Sequence, residues 1–432
     1  MIPMKSTAAT RGWLIFLVVV TSIVGPENAS AAQTARTEVL SVGVAEPLMA
    51  AQVAIQKNHW DAALESIKQA QAAARLTAKD EYNIDALLGY VLYRQNKYKQ
   101  AAAVYERLLE SPLVPAAQVS ERTKAIAEMY FKMGEYPRAA KWAKAFLGRH
   151  PDAPQVAAML GDAYFRMDNY KSAVATMTAL VADAEHDRRI PKESWLRIIE
   201  DSYYRLEDLR GMESALVLLV GYFHEPEDWR ELLDLCSRDV HDERIALGYH
   251  RLMFELNVLT RPDDYEAMVF ETLTAGVPAE ALQVLDSARN EDVFSGPDSM
   301  PGRYERLFKR VQKEVAANRV SLRRLATKPT DASGGQDDVL LGQIYLSYGQ
   351  YDLAVAALNR GINKGGVQEA DEAHMSLGIA YLQLGLRDLA DEAFRAVDRG
   401  SPWAGLAELW RLRVNANALV NQSLASSRRR YF

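Results

Sequence analysis

The 432-residue chain has a single cysteine, Cys236. That scarcity excludes an intramolecular disulfide framework and any multi-cysteine metal or iron–sulfur site. A strong charge bias is also missing, because 51 Lys and Arg face 57 Asp and Glu, for a net charge of −6. A general nucleic-acid binder shows a basic excess, so the balance argues against that class. Beyond residue 32 there is no apolar run long enough to span a membrane. Catalytic signatures are absent too, with no G-x-S-x-G, no H-E-x-x-H and no phosphate loop ending in Gly-Lys-Ser/Thr. The seven histidines never fall at i, i+3 or i+4, so no metal site is expected. The composition, 49% hydrophobic and 25% charged, is that of an ordinary globular protein. Length alone allows two or three domains or one long repeat array.

The amino terminus has the three parts of a secretory signal. Lys5 and Arg11 precede an uncharged run from Gly12 to Gly25, and Ala29-Ser30-Ala31-Ala32 offers a small-residue exit. The apolar core from Trp13 to Val24 is shorter than the roughly 20 residues that cross a bilayer. Residues 1–32 therefore read as a signal peptide cleaved after Ala31 or Ala32, the alternative being a retained anchor. The mature chain is expected to be exported.

Self-similarity organises the rest. Leu88-Gly-Tyr-Val-Leu-Tyr-Arg-Gln-Asn-Lys-Tyr98 aligns with stretches that open at Ile126, Leu160 and Leu341 and close at Tyr136, Tyr170 and Tyr351. Three residues past each closing Tyr stands an alanine: Ala101, Ala139, Ala173 and Ala354. A fifth copy runs from Leu377-Gly378 to Ala390. The small residues let paired helices approach closely, and large residues at helical offsets fill the gaps. A Gly or Asn ahead of each Tyr supplies the left-handed residue that ends the first helix. Weaker units open at Trp195, Trp229 and Tyr265, and residues 303–326 form a degenerate one. Cys236 falls within a first helix, where a small packed residue is expected rather than a reactive thiol.

These residues resemble the tetratricopeptide (TPR) repeat, a 34-residue pair of antiparallel helices. The resemblance implies an all-α, right-handed superhelical solenoid of about ten helix pairs with a C-terminal capping helix. The expected divisions are an N-terminal array at 33–190, divergent units at 191–290, and a degenerate unit with flexible connections at 291–338. A terminal pair with its cap follows at 339–419, and then a basic tail at 420–432.

In TPR folds the first helices line a concave face. There the pattern places Tyr93 and Arg94, Phe131 and Lys132, Phe165 and Arg166, and Tyr204 and Arg205. Glu128 and Asp162 join them as candidate groove residues. An aromatic beside a cation in four successive units can grip an extended peptide by stacking, cation–π contact and carboxylate pairing. No cofactor and no enzymatic activity are expected.

The segment from Trp195 to Leu412 is more particular. Pro226-Glu-Asp-Trp229, Gly361-Ile-Asn-Lys-Gly-Gly366 and Ala407-Glu-Leu-Trp410 look like periplasmic TPR proteins that accompany TonB–ExbB–ExbD systems. That resemblance implies a periplasmic adaptor in a Gram-negative bacterium, serving energised outer-membrane transport and contacting a TonB- or ExbD-type periplasmic domain. The alternative is a TPR scaffold for cell-envelope or secretion-complex assembly. Membrane contact is expected only indirectly or through the tail.

Overall fold

The computed structural model describes residues 40–294, 302–327 and 334–415. The signal segment, the basic tail and residues 416–419 of the expected cap lie outside the described residues.

Helices α1 (Val42–Gln56) and α2 (Trp60–Gln71) form the first hairpin, α3 (Ala78–Arg94) and α4 (Tyr98–Glu110) the second. The array continues with α5 (Ala116–Lys132) on α6 (Tyr136–Leu147) and α7 (Pro154–Arg166) on α8 (Tyr170–His186). Three divergent hairpins follow. They are α9 (Glu193–Arg205) with α10 (Leu209–Tyr222), α11 (Pro226–Ser237) with α12 (Glu243–Glu255), and α13 (Pro262–Thr274) with α14 (Pro278–Asn290). A single helix, α15 (Arg303–Ala326), precedes α16 (Gln336–Ser347) with α17 (Tyr351–Lys364) and α18 (Ala370–Gln383) with α19 (Arg387–Arg395). Residues 404–415 form α20, the start of the expected cap.

The fold is the expected all-α solenoid, and among the described residues it contains no strand. Among the described residues, twenty helices make nine hairpins and two single helices, α15 and α20. The degenerate unit is thus one 24-residue helix and not a pair. Arg303–Ala326 contains no glycine or proline, so nothing in it stops the helix.

The hairpin turns of the four clearest repeats are built as the pattern requires. Asn96, Gly134, Asp168 and Gly349 take positive φ between 56° and 75°. The next residue donates its N–H back across the helix end, as Lys97 does to the Leu92 carbonyl at 2.9 Å. In the third unit Asp168 is the left-handed residue. Asn169 instead caps α8, its side chain accepting from the Ser172 N–H.

Ala101, Ala139, Ala173, Ala354 and Ala390 are fully buried between paired helices. The small residue on the first helix is equally constrained, since a Cβ added at Gly89 would lie 2.3 Å from the Tyr105 ring. Successive first helices also touch, α1 on α3, α5 on α7 and α7 on α9. They therefore line the inner layer of the curve.

The second half does not remain a simple row. Helices α18 and α20 return to α12, more than a hundred residues earlier. Leu406 and Trp403 press on α12 where Gly248 has no side chain, and a Cβ there would meet Leu406 at 2.4 Å. Glu255 accepts from Gln383 at 2.8 Å and from Arg413 at 3.2 Å. At the other end of α12, Arg244 pairs with Glu369 at 2.8 Å. Trp410, stacked on Phe394 with centroids 5.6 Å apart, is 1% exposed and seals the junction.

Candidate functional site

The predicted aromatic–cation positions come together as a ladder along one edge of the array. The last turn of each first helix carries the cation. It lies against rings of the preceding hairpin, so the ladder links units from within.

The first rung joins α3 to α2. The Arg94 guanidinium sits 4.5 Å from the Trp60 ring centroid and donates to the Tyr90 hydroxyl at 2.9 Å. In the second, the Lys132 ammonium on α5 lies 5.0 Å from the Tyr98 centroid and 5.6 Å from that of Tyr93. Those two rings meet edge to face at 6.0 Å. Burial works against the Lys132 charge, but the Tyr93 and Tyr98 hydroxyls outweigh it and raise its pKa.

The third rung pairs Phe131 with Tyr136 at 5.6 Å, and Arg166 approaches Tyr136 from α7. Asp162 holds the Arg166 Nε at 3.0 Å and raises its pKa by that hydrogen bond. Glu128 answers Lys124 on α5 at 3.9 Å. The fourth pairs Phe165 with Tyr170 at 5.7 Å, and the Arg205 charge reaches Tyr170. An exposed cation–π contact contributes about 0.5–1 kcal/mol, so the ladder stiffens the spacing between units.

Tyr204 behaves differently. Five residues past Tyr93, Phe131 and Phe165 stands a tyrosine, but five past Tyr204 stands Leu209. The two side chains form no closed rung and stay 62% and 48% exposed. They open instead onto a cavity of about 570 Å³ shared with Met212, Pro226, Leu235 and Val258. Glu227, Glu231 and Asp234 stand on its rim with Arg230 and Arg238. Sequence reasoning missed this cavity, although leucine in place of the repeated tyrosine was its visible signal.

Beneath the rim, α9 and α11 concentrate carboxylates. Arg197 on α9 grips Asp228 on α11 through two hydrogen bonds. Burial and the nearby Glu231 push the Glu200 carboxyl up to about 7. Glu231 is itself raised, by burial and by Asp228.

A second cavity of about 580 Å³ lies where α12 and α13 face α16 and α18, walled by Glu271, Glu369 and Glu372 around Arg244. Arg244 pairs there with Glu369 at 2.8 Å and with Glu372 at 3.6 Å, and Glu271 pairs with His250 at 2.7 Å. Among the described residues no cluster of three His, Cys, Asp or Glu side chains is arranged to hold a metal. Cys236 is half-buried, and burial with the neighbouring Glu213 pushes its thiol up to about 12. It is a protonated packing residue at neutral pH.

Residues 48–117, 125–188 and 339–402 match the tetratricopeptide repeat family model. The matches omit the whole stretch from α9 to α15, where the repeat pattern is weakest. No curated protein matches the chain. Solved structures similar to it include a tetratricopeptide repeat protein from Parabacteroides merdae, 15% identical over 79% of this chain and 99% of that one, with a TM-score of 0.31. Another is the C-terminal part of a TPR repeat-containing protein from Cytophaga hutchinsonii, 13% identical over 62% and 93%, TM-score 0.32. The TPR2AB domain of yeast Sti1 in complex with pHSP90 is 12% identical over 72% and 100%, TM-score 0.24. At these scores the structural likenesses carry no inference about what this chain binds. The matched segments make up a little under half of the chain, and it is over these stretches that the chain is similar to tetratricopeptide repeats.

Proposed function

We propose that the protein is a non-enzymatic periplasmic adaptor that holds an extended segment of a partner protein against the inner layer of first helices. The observation that carries this reading is the packing of α1 on α3, α5 on α7 and α7 on α9, with Tyr82 of α3 hydrogen-bonded to Gln118 and Arg122 of α5. On that layer Lys124 and Glu128 are 39% and 32% exposed, and Asp162 and Arg166 are 28% and 55% exposed. Such a surface offers an extended chain pairs of opposite charge at repeat spacing.

The ladder refines how recognition works. Arg94, Lys132 and Arg166 already spend part of their charge on neighbouring rings or on Asp162. Their role is to set the pitch of the layer, and their remaining exposed edges contact the partner. The signal-like amino terminus supports export. The succession from Pro226 to Trp410 supports a partner of the TonB or ExbD type.

The experiment is cross-linking in intact cells, with a photoreactive residue at Lys124 or Glu128 and mass spectrometry of the adducts. Adducts to a TonB- or ExbD-type domain are expected. Recovery of only secretion or assembly factors would replace the transport role with envelope scaffolding. A protein found wholly in the cytoplasmic fraction would end both readings.

A further inference from the structure

The chain as a whole is acidic, but its unpaired helix α15 is strongly basic, with eight Lys and Arg against two Glu. Leu307, Val311, Val315 and Leu325 bury one side of that helix. Arg306, Lys309, Arg310, Lys313 and Arg324 are all exposed. At about 3.6 residues per turn these five cations share one face, opposite the buried one. None of them makes an ion pair among the described residues. Exposed arginines elsewhere do find carboxylates, as Arg289 of α14 finds Asp286 at 3.0 Å and Arg107 of α4 finds Asp85 at 2.8 Å.

A face that is merely solvated mixes its signs, because like charges three or four residues apart repel. Here Arg306 and Arg310, and Lys309 and Lys313, are such pairs. Arg306 also stands in the first turn, where the helix dipole disfavours a cation. An anionic surface laid on the stripe relieves each of these costs.

The shape and the apolar neighbours of the stripe select among anionic partners. α15 lines neither of the two cavities described above, and its 24 residues extend for about 36 Å. It presents a long ridge and not a groove for a peptide. Val320, on the same face between Lys313 and Arg324, is 67% exposed. Phe270 of α13 is 46% exposed, and the Arg310 guanidinium lies 5.4 Å from its ring centroid. Cations interleaved with exposed apolar side chains suit the boundary of headgroups and acyl chains. Among the described residues no helix is long and apolar enough to cross a membrane, so such a contact is peripheral.

We propose that α15 is a peripheral membrane contact. Its cationic stripe lies on an anionic phospholipid bilayer, with Val320 and Phe270 at the acyl boundary. The assignment does not depend on what the inner helix layer holds.

The test is co-sedimentation with lipid vesicles, using the chain from residue 33 onward, which keeps every described helix. Vesicles of phosphatidylcholine with about 30% phosphatidylglycerol should bind at least roughly tenfold more tightly than phosphatidylcholine alone. Each cation near an anionic surface strengthens binding about fivefold, so R306Q/K309Q/R310Q/K313Q should weaken it at least roughly thirtyfold. R306K/R310K should bind as the wild type does, because the bilayer reads charge and not a bidentate geometry. F270S/V320S should weaken vesicle binding severalfold and leave binding to heparin unchanged. Amide exchange in α15 of the wild type should slow on the anionic vesicles, a readout that needs no variant. Equal binding to both vesicles, or a four-site variant that binds like the wild type, would overturn the proposal. So would loss of binding in R428A/R429A/R430A, which would move the contact to the tail. Binding to heparin but not to vesicles would assign the stripe to a soluble polyanion and likewise overturn it.

Discussion

Helices α1 to α8 and helices α9 to α20 come from the same repeat grammar but hold together differently. In the first region the buried apolar side chains divide into three clusters, around Ile67, Leu108 and Ala163. Each helix there packs mainly on its neighbours in the chain. In the second region two small clusters, around Leu358 and Ile344, lie beside a large one that runs from Met177 on α8 to Val414 on α20 and takes in α12 and α18. The first region therefore has a stability close to a sum of local terms. The second must close a loop of well over a hundred residues before its last contacts form, so it gains cooperativity at an entropic cost.

The sharpest way to break that contrast is to remove one large buried side chain from each region. Trp410→Ala should cost about 3–5 kcal/mol, and Ile67→Ala about 2–5 kcal/mol. The difference lies in reach. Hydrogen exchange should accelerate through α12, α18 and α20 together in W410A, while in I67A the loss stays within α1 to α4. Uniform acceleration in both variants would refute the division.

The ladder comes next in size. Replacing Arg94, Lys132 and Arg166 together with Ala should cost about 2 kcal/mol in total, from three contacts of about 0.5–1 kcal/mol each. Urea unfolding followed by probes in α3 to α7 would read it, with α18 to α20 unchanged. Partner binding should weaken in the same variant, and unchanged affinity would remove these residues from recognition.

Glu200 gives a smaller, pH-dependent effect in the second region. Its carboxyl, ordinarily near 4.5, titrates at about 7 in the folded chain. The folded state thus holds the proton more tightly than the unfolded one. Stability from this group is complete below about pH 4.5 and falls as the pH rises through 7. Glu200→Gln should stabilise the protein at pH 8 by about 1 kcal/mol or less after solvent screening. The gain should vanish near pH 4.5, which paired denaturation curves would show. The smallest effect is expected for Leu209→Tyr, which restores the ring of the other rungs. An edge-to-face pair with Tyr204 should add roughly 0.5–1 kcal/mol to the melting of α9 and α10.

Much of the first region was legible in the sequence because its determinants are local. Gly89 and Ala101, with Asn96 between them, specify a close helix pair and its turn within thirteen residues. The ladder residues were also visible, but not their partners. Lys132 stacks on Tyr98, thirty-four residues earlier, and only the packing of units brings them together. α15 was read as a degenerate pair because its neighbours are pairs, yet Arg303–Ala326 has no residue that would break it.

The sequence by itself determined the helices, their breaks and the small residues that set hairpin distance. Those follow from backbone preference and side-chain size over a few turns. The tertiary structure alone decided that α20 returns to α12 and that the ladder opens at Leu209. Gly248 looks like any other small repeat residue until Leu406 is seen lying on it. Closure depends on the summed tilt of many units, a quantity that no single repeat encodes.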